Sequence, residues 1–460
     1  MLFSSITFIY SYFLLTVLLY FIAPKKLKNA VLLLFSLIFY AWGEPKYVIL
    51  MVISIIVGYV AGLLMEKGKK KKPIFIASIV IEFAMLAYFK YADFFISNFN
   101  AVTGLGIPLL RIALPIGISF YTFQIVSYIA DVYMGSEPAN HSLVDLAAYI
   151  SFFPQLIAGP IVRYGDIAQQ LQNRTHSFDG AYKGIKRFVA GLSKKILIAN
   201  IMGELVAAFK ASKDLSIAYF WLYSVAFVLQ IYFDFSGYSD MAIGLSGIFG
   251  FTFPENFNYP LISKSMTEFW RRWHISLGSW FKDYVYFPLG GSRTTKLKHY
   301  RNLLVVWMLT GFWHGADWTF IAWGLFYAFW LVVEKNFLLK YLEKNNVIAH
   351  IYAVFLTLIG FTIFDADGIS GAIRNIGGLF AGYPLASAEF FFNLRSYALV
   401  MVIGIIFATP IPKTLYGKLK EKLNSPVFDI IEPVVVCLMI VICTAFLVDG
   451  SFNPFLYFRF

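Results

Sequence analysis

The stretch YVILMVISIIVGYVAGLLM, residues 47–65, decides the fold. It carries no charge, and a bilayer-spanning helix needs about 20 mostly apolar residues. Glu66 and Lys67 end it, and Lys69 to Lys72 follow. Ser5–Ala23, Asn29–Gly43 and Pro73–Phe89, the last with the single acid Glu82, have the same character. So do Leu215–Phe233, Leu303–Phe312 with Trp318–Val333, Val347–Phe364, Tyr397–Ile411 and Pro433–Val448. Leu114–Tyr133, Leu143–Val162 and Phe188–Phe209 are apolar but more interrupted. Together they predict an all-α polytopic membrane protein with roughly 10–13 embedded helices.

Composition agrees. Of 460 residues 59% are hydrophobic, 19% aromatic and only 14% charged. Soluble domains carry about 25% charge, so a soluble enzyme and a disordered chain are both excluded. The net charge of +12 (38 − 26) reads as cytoplasmic loops and headgroup contacts rather than nucleic-acid binding. Lys25, Lys26 and Lys28 follow the first apolar stretch, the Lys67–Lys72 cluster follows the third, and Glu44-Pro45-Lys46 between the second and third is nearly neutral. The positive-inside rule then predicts an extracytoplasmic N-terminus. The first stretch lacks a basic leader and reads as a retained helix rather than a cleaved signal. Cys437 and Cys443 lie in one apolar run and form no metal spacing. No repeat or long hydrophilic segment interrupts the chain, which predicts one membrane-embedded domain over residues 1–460.

Between about Leu114 and Trp318 the hydropathy is broken by Pro, Gly, Asp, Arg and His. Such breaks are tolerated at membrane depth only against protein or a water-lined cavity, so the site is expected there. In residues 310–318, TGFWHGADW, His314 interrupts an apolar run. An ionisable group in that setting points to function, and imidazole suits proton transfer near neutral pH. Gly311 and Gly315 allow a substrate or another backbone to come close, while Trp313 and Asp317 flank the histidine. In residues 269–284, Phe269, Trp273, Leu277, Trp280 and Tyr284 recur at helical spacing, predicting an amphipathic helix at the membrane interface. Arg271, Arg272 and Lys282 on it are candidates for the phosphates of an anionic donor. His274 on the same run is catalytic, structural or interfacial. In residues 233–241, FDFSGYSDM, the acids Asp234 and Asp240 with Tyr238 form a polar patch ending an apolar helix. Either acid is placed to orient a histidine or a hydroxyl substrate, or simply to line the interior.

Six histidines are too few for the histidine boxes of membrane di-iron enzymes. No metal spacing, Walker loop, dinucleotide fingerprint or nucleophile elbow is present.

The runs FDFSGYSDMAIG (233–244), NFNYPLISKSMTEFWRRWHISLGSWFKDYVYFPLGGSR (256–293) and GFWHGADWTFIAWG (311–324) resemble the membrane-bound O-acyltransferase family. LPIGISFYTFQIVSYIADVY (114–133), FFPQLIAGPIVRY (152–164) and NPFLYFRF (453–460) are similar to its bacterial alginate O-acetylation branch. D-alanyl transfer proteins of cell-wall modification form a sister branch. The resemblance implies a ring of tilted transmembrane and re-entrant helices around a central tunnel. It implies catalysis by His314, a second functional histidine at His274, and no bound cofactor. It further implies acetyl-CoA or another acyl thioester as cytoplasmic donor, a separate extracytoplasmic SGNH-type transferase as partner, and a polysaccharide as acceptor. The stretch Phe364-Asp365-Ala366-Asp367 departs from the family, many of whose members carry an arginine nearby. D-alanyl transfer, a polysaccharide or lipid transporter, and a non-catalytic scaffold are the alternatives. A transporter would need a wide polar path and coupling acids, where this chain offers aromatic bulk.

Overall fold

The computed structural model describes residues 1–68, 70–422, 425–450 and 455–456. Lys69 and all of the C-terminal NPFLYFRF except Phe455 and Leu456 lie outside the described residues. The described residues form helices and connecting turns with no strand. Eight helices among them are long and apolar enough to cross a membrane: Lys25–Gly43, Val48–Lys67, Lys71–Thr103, Ile217–Ile248, Trp318–Leu342, Asn346–Phe364, Ala388–Phe407 and Pro426–Asp449. The remaining stretches of the sequence-based estimate form shorter or more charged helices. Phe8–Ile22 is apolar but short. Ile118–Met134 has 17 residues, and Lys296–His314 opens with Lys296, Lys298 and Arg301.

The chain divides into two compact units, Met1–Phe188 with Asp240–Pro254, and Val189–Ser239 with Glu255–Phe460. In the first, Ile118–Met134 is the central element, with every residue from Ile118 to Val132 buried. It packs on Val48–Lys67 and on Lys71–Leu86. A helix buried on all sides needs no polar face, which is why hydropathy alone reads it poorly. Glu82 is fully buried beside Ser54. Tyr20 ties the loop at Arg174 and His176 to the end of the Ile217–Ile248 helix. Its hydroxyl lies 2.8 Å from His176 Nε2, accepts from Arg174 Nε at 2.7 Å and donates to the Phe249 carbonyl at 3.1 Å.

In the second unit, Lys296–His314 and Trp318–Val333 form a tight antiparallel hairpin. A Cβ on Gly311 would strike the Phe320 carbonyl, and one on Gly324 would strike the Trp307 carbonyl. The glycines thus let two backbones meet, the small-residue mode of membrane helix packing. Asp317 caps the second helix, its Oδ1 accepting from the Thr319 N–H at 2.8 Å and the Thr319 hydroxyl at 2.9 Å. Asn346–Phe364 packs against the second helix of the hairpin. Phe269, Trp273, Trp323, Tyr327, Phe361 and Phe364 are among the bulky members of this unit's core.

Two expectations change. The Asp234–Asp240 patch does not end a helix, because Ile217–Ile248 runs straight through it. Its two acids are paired with Lys195 and Arg187 of neighbouring elements, so their charge does not force the helix to break. The 269–284 run is not one interfacial helix. It is Met266–Arg272, then Ile275–Phe281, then the wider turn Lys282–Tyr286. Phe269, Trp273, Leu277 and Trp280 are all at most 4% exposed. They are core residues, and the aromatic spacing marked burial in protein.

Candidate active site

The break in the 269–284 run falls at His274. Its backbone sits in the left-handed region, φ 44° and ψ 53°. For a non-glycine residue that conformation costs of order 1–3 kcal/mol and persists only where the surroundings hold it. They do so through Asn256–Asn258: the Ile275 N–H donates to the Asn256 carbonyl at 3.0 Å, and the Asn258 N–H to the Arg272 carbonyl at 2.9 Å. Glu334, itself fully buried, anchors the start of the preceding helix. Its carboxylate accepts from the Met266 N–H at 2.5 Å, and from the Thr267 N–H at 2.9 Å and hydroxyl at 2.8 Å.

The Asn256 side chain then sets the tautomer of His274. Asn256 Oδ1 accepts from the Ser276 N–H at 3.3 Å and the Ser276 hydroxyl at 2.8 Å, while Nδ2 donates to Ser239 Oγ at 3.0 Å. The oxygen is therefore the atom that His274 Nδ1 meets at 3.1 Å, so Nδ1 carries the proton. Nε2 is left with its lone pair, buried and without a hydrogen-bond partner among the described residues. Burial pushes the His274 imidazole down to about 3, so the ring is neutral at pH 7.

His314 is the last residue of Lys296–His314 and is 6% exposed. Its ring is packed edge-on by Trp313 at 5.0 Å, Trp323 at 5.1 Å and Phe364 at 5.4 Å between centroids. A Cβ on Gly315 would run into the Phe320 ring, so the second flanking glycine admits a side chain of the hairpin itself. His274 and His314 line one cavity of about 400 Å³. Trp270, Trp307 and Thr310 form its walls, and Arg271, Lys282 and Tyr286 also border it. Trp313 lies 6.0 Å from the His274 ring, between the two histidines in the contact network.

The other candidates are placed elsewhere. Arg272 is held by Glu268, with Nε–Oε1 and Nη2–Oε1 both 2.9 Å, and does not border the cavity. One turn of helix separates the two, and an acid at that spacing captures the guanidinium. Both aspartates are engaged by cations. Asp234 Oδ1 pairs with Lys195 Nζ at 2.5 Å, both side chains at most 4% exposed, and Oδ2 accepts from the Leu456 N–H at 2.9 Å. Asp240 belongs to the first unit, where Arg187 Nε and Nη2 reach its Oδ1 at 3.0 and 2.9 Å. Tyr238 is buried against Phe455, centroids 4.4 Å apart. Asp317 serves as the helix cap. Asp365, in the departing stretch, pairs with Lys210 Nζ at 2.8 Å and accepts from the Tyr223 hydroxyl at 2.6 Å. The residue that the sequence reading missed is Asn256; a lone amide 18 positions before His274 leaves no trace in hydropathy or spacing.

A family model described as MBOAT, membrane-bound O-acyltransferase family, matches residues 134–344, the segment that holds both histidines. Over its whole length the chain is 37% identical to a probable alginate O-acetylase of Azotobacter vinelandii, with 100% of both chains covered. The chain belongs to the membrane-bound O-acyltransferase family. It is a multi-pass membrane O-acyltransferase. It is also 32% identical to the peptidoglycan O-acetyltransferase of Helicobacter pylori, over 100% of this chain and 98% of that one. Against the teichoic acid D-alanyltransferase of Bacillus subtilis the identity is 32%, but over only 54% of this chain and 68% of the relative.

Proposed function

We propose that this O-acyltransferase takes an acyl group, acetyl, from a cytoplasmic thioester such as acetyl-CoA and passes it across the membrane for O-acetylation of an extracytoplasmic polysaccharide. The observation that carries the reading is the cavity shared by His274 and His314 and bordered by Arg271 and Lys282. A thioester needs an apolar slot for its acyl arm and cations for its phosphates. A hydroxyl acceptor needs a neutral base within reach.

In this scheme His314 removes the proton from the acceptor hydroxyl as the oxygen attacks the thioester carbonyl. The tetrahedral intermediate collapses, the C–S bond breaks, and the proton passes from His314 to the departing thiolate. The products are one ester and one thiol, with no net proton change. A base so placed contributes roughly 10²–10⁴-fold. His274 assists through Nε2, and Trp313 fixes the spacing between the rings. Both compact units act as one acyltransferase domain, with the N-terminus outside the plasma membrane and the lysine clusters in the cytoplasm.

The full-length similarity to two proteins named for O-acetylation favours acetyl over D-alanyl as the group carried. An SGNH-type transferase outside the membrane completes the transfer to polymer. The test is His314→Ala in purified membranes supplied with labelled acetyl-CoA. Loss of labelled product and of free-thiol release is expected. Undiminished label transfer removes His314 from the mechanism, and substrate movement without thiol release identifies a transporter.

A further inference from the structure

The hairpin that carries His314 has a second concavity on its other side. A groove of about 630 Å³ runs between Lys296–His314 and Trp318–Val333, walled by Leu304, Leu325, Phe329 and Val332. These walls face outward: Phe329 is 60% exposed and Leu304 49%. Tyr300 and Arg301 also line it. Both sit in the first turns of the Lys296–His314 helix, and the antiparallel partner helix reaches the same level near Val332.

That level is strongly basic. Lys296 and Lys298 precede Arg301 on one helix, and Lys335, Lys340 and Lys344 follow the other. Lys335 Nζ is 2.9 Å from His299 Nε2 and the Tyr300 hydroxyl donates to Asn336 Oδ1 at 2.7 Å, which joins the two helix ends. Glu334, which adjoins Lys335, is turned inward onto Met266 and Thr267, and Glu343 is the one acid between Lys335 and Lys344. Arg301 is exposed but oriented: its Nε and Nη2 donate to Asn302 Oδ1 at 3.2 and 2.8 Å. Among the described residues no carboxylate pairs with it. A fixed guanidinium without a counter-charge therefore stands where an apolar groove meets the basic end of a membrane hairpin.

We propose that this groove binds a membrane phospholipid with an anionic headgroup. One acyl chain lies along Leu304, Leu325, Phe329 and Val332, and the phosphate meets Arg301. The charge pattern selects this occupant. A second protein chain or a neutral lipid would cover the apolar walls but leave Arg301 and its neighbouring lysines without a counter-charge. Anionic lipid gains about 1 kcal/mol for each basic residue near the surface.

The experiment uses the full chain in nanodiscs of equal parts phosphatidylglycerol and phosphatidylcholine, with retained lipids counted by native mass spectrometry. Phosphatidylglycerol should be enriched roughly fivefold over phosphatidylcholine, the ratio that one such charge supplies. Arg301→Gln should abolish the enrichment at an unchanged melting temperature, and Arg301→Lys should keep most of it. Phe329→Ser should lower retention of both lipids. Equal retention in the parent protein, or enrichment that survives Arg301→Gln, overturns the proposal. Displacement of the retained lipid by glycerol phosphate, which has no acyl chain, would assign the site to free phosphate and overturn it equally.

Discussion

His274 Nδ1 donates to Asn256 Oδ1 across 3.1 Å, and this one contact decides which nitrogen of the ring is left for chemistry. The amide is itself locked by Ser276 and Ser239, so it cannot turn to offer a donor instead. Replacing it should therefore act through the tautomer. Asn256→Ala is expected to lower kcat by about tenfold or more, toward the lower end of what a positioned proton-transfer group contributes. Donor KM should change little, because Asn256 does not border the cavity. A kcat that stays at the parent value would separate His274 from the reaction.

The same burial makes stability depend on pH. In the unfolded chain this imidazole takes up a proton near pH 6.5. In the folded chain burial delays uptake to about 3. The stabilisation linked to the neutral ring is thus complete above pH 6.5 and drains away as pH falls toward 3. Thermal melting in detergent should show Tm declining through that window, and His274→Gln should flatten the part of the decline that this group causes. An unchanged slope in the variant would place the acid sensitivity elsewhere.

Lys195 and Asp234 form an ion pair almost fully removed from water. Breaking such a pair from one side strands a charge and costs about 3–5 kcal/mol, whereas replacing both partners by apolar residues is close to neutral. Lys195→Met should lower Tm sharply. Lys195→Met with Asp234→Leu should recover part of the loss, and a double variant no better than the single would show that the carboxylate's hold on the Leu456 N–H matters more than its charge balance.

These contacts also mark how far the sequence could be read. The membrane class followed from Tyr47–Met65, because an uncharged run of that length has few other folds open to it. His314 stood out because an imidazole in an apolar run is costly unless it is used. Its glycines were legible as points of close approach, although nothing in the sequence signals that Phe320 is what approaches both, by its carbonyl at Gly311 and its ring at Gly315. The helix break at His274 was not legible, since Trp273-His274-Ile275 has neither proline nor glycine. It arises from backbone pairing with Asn256 and Asn258, which lies in no local pattern. Asp234 and Asp240 misled for the opposite reason. Their partners, Lys195 and Arg187, lie 39 and 53 positions away, so the acids looked available when they were already engaged.

Gly311 tests the hairpin directly. A methyl group there would strike the Phe320 carbonyl, a backbone atom with no rotamer to escape into. Overpacking of this kind costs about 1–3 kcal/mol. Gly311→Ala should lower Tm and, by prising the helix carrying His314 from its neighbour, reduce labelled acetyl transfer more than it reduces the amount of folded protein. Equal loss of both would mean that the glycine serves folding alone.

The two adjacent arginines give the sharpest contrast between a donor site and a generic basic surface. Arg271 borders the cavity, as does Lys282, whereas Arg272 is spent on Glu268 and the Asn258 carbonyl. If the cavity receives the phosphate-bearing donor, loss of one charged contact should raise donor KM by roughly tenfold, the equivalent of 1.4 kcal/mol. Arg271→Gln and Lys282→Gln should both do this with kcat largely retained, since the interaction holds the donor before and during the reaction alike. Arg272→Gln removes the same charge one residue away, and donor KM should stay within about twofold because no donor contact is lost. Steady-state kinetics over a range of acetyl-CoA, with Tm followed in parallel, distinguishes the cases. Equal KM increases in all three variants would mean that the donor responds to the summed positive field of the surface, and the cavity would lose its standing as the donor site.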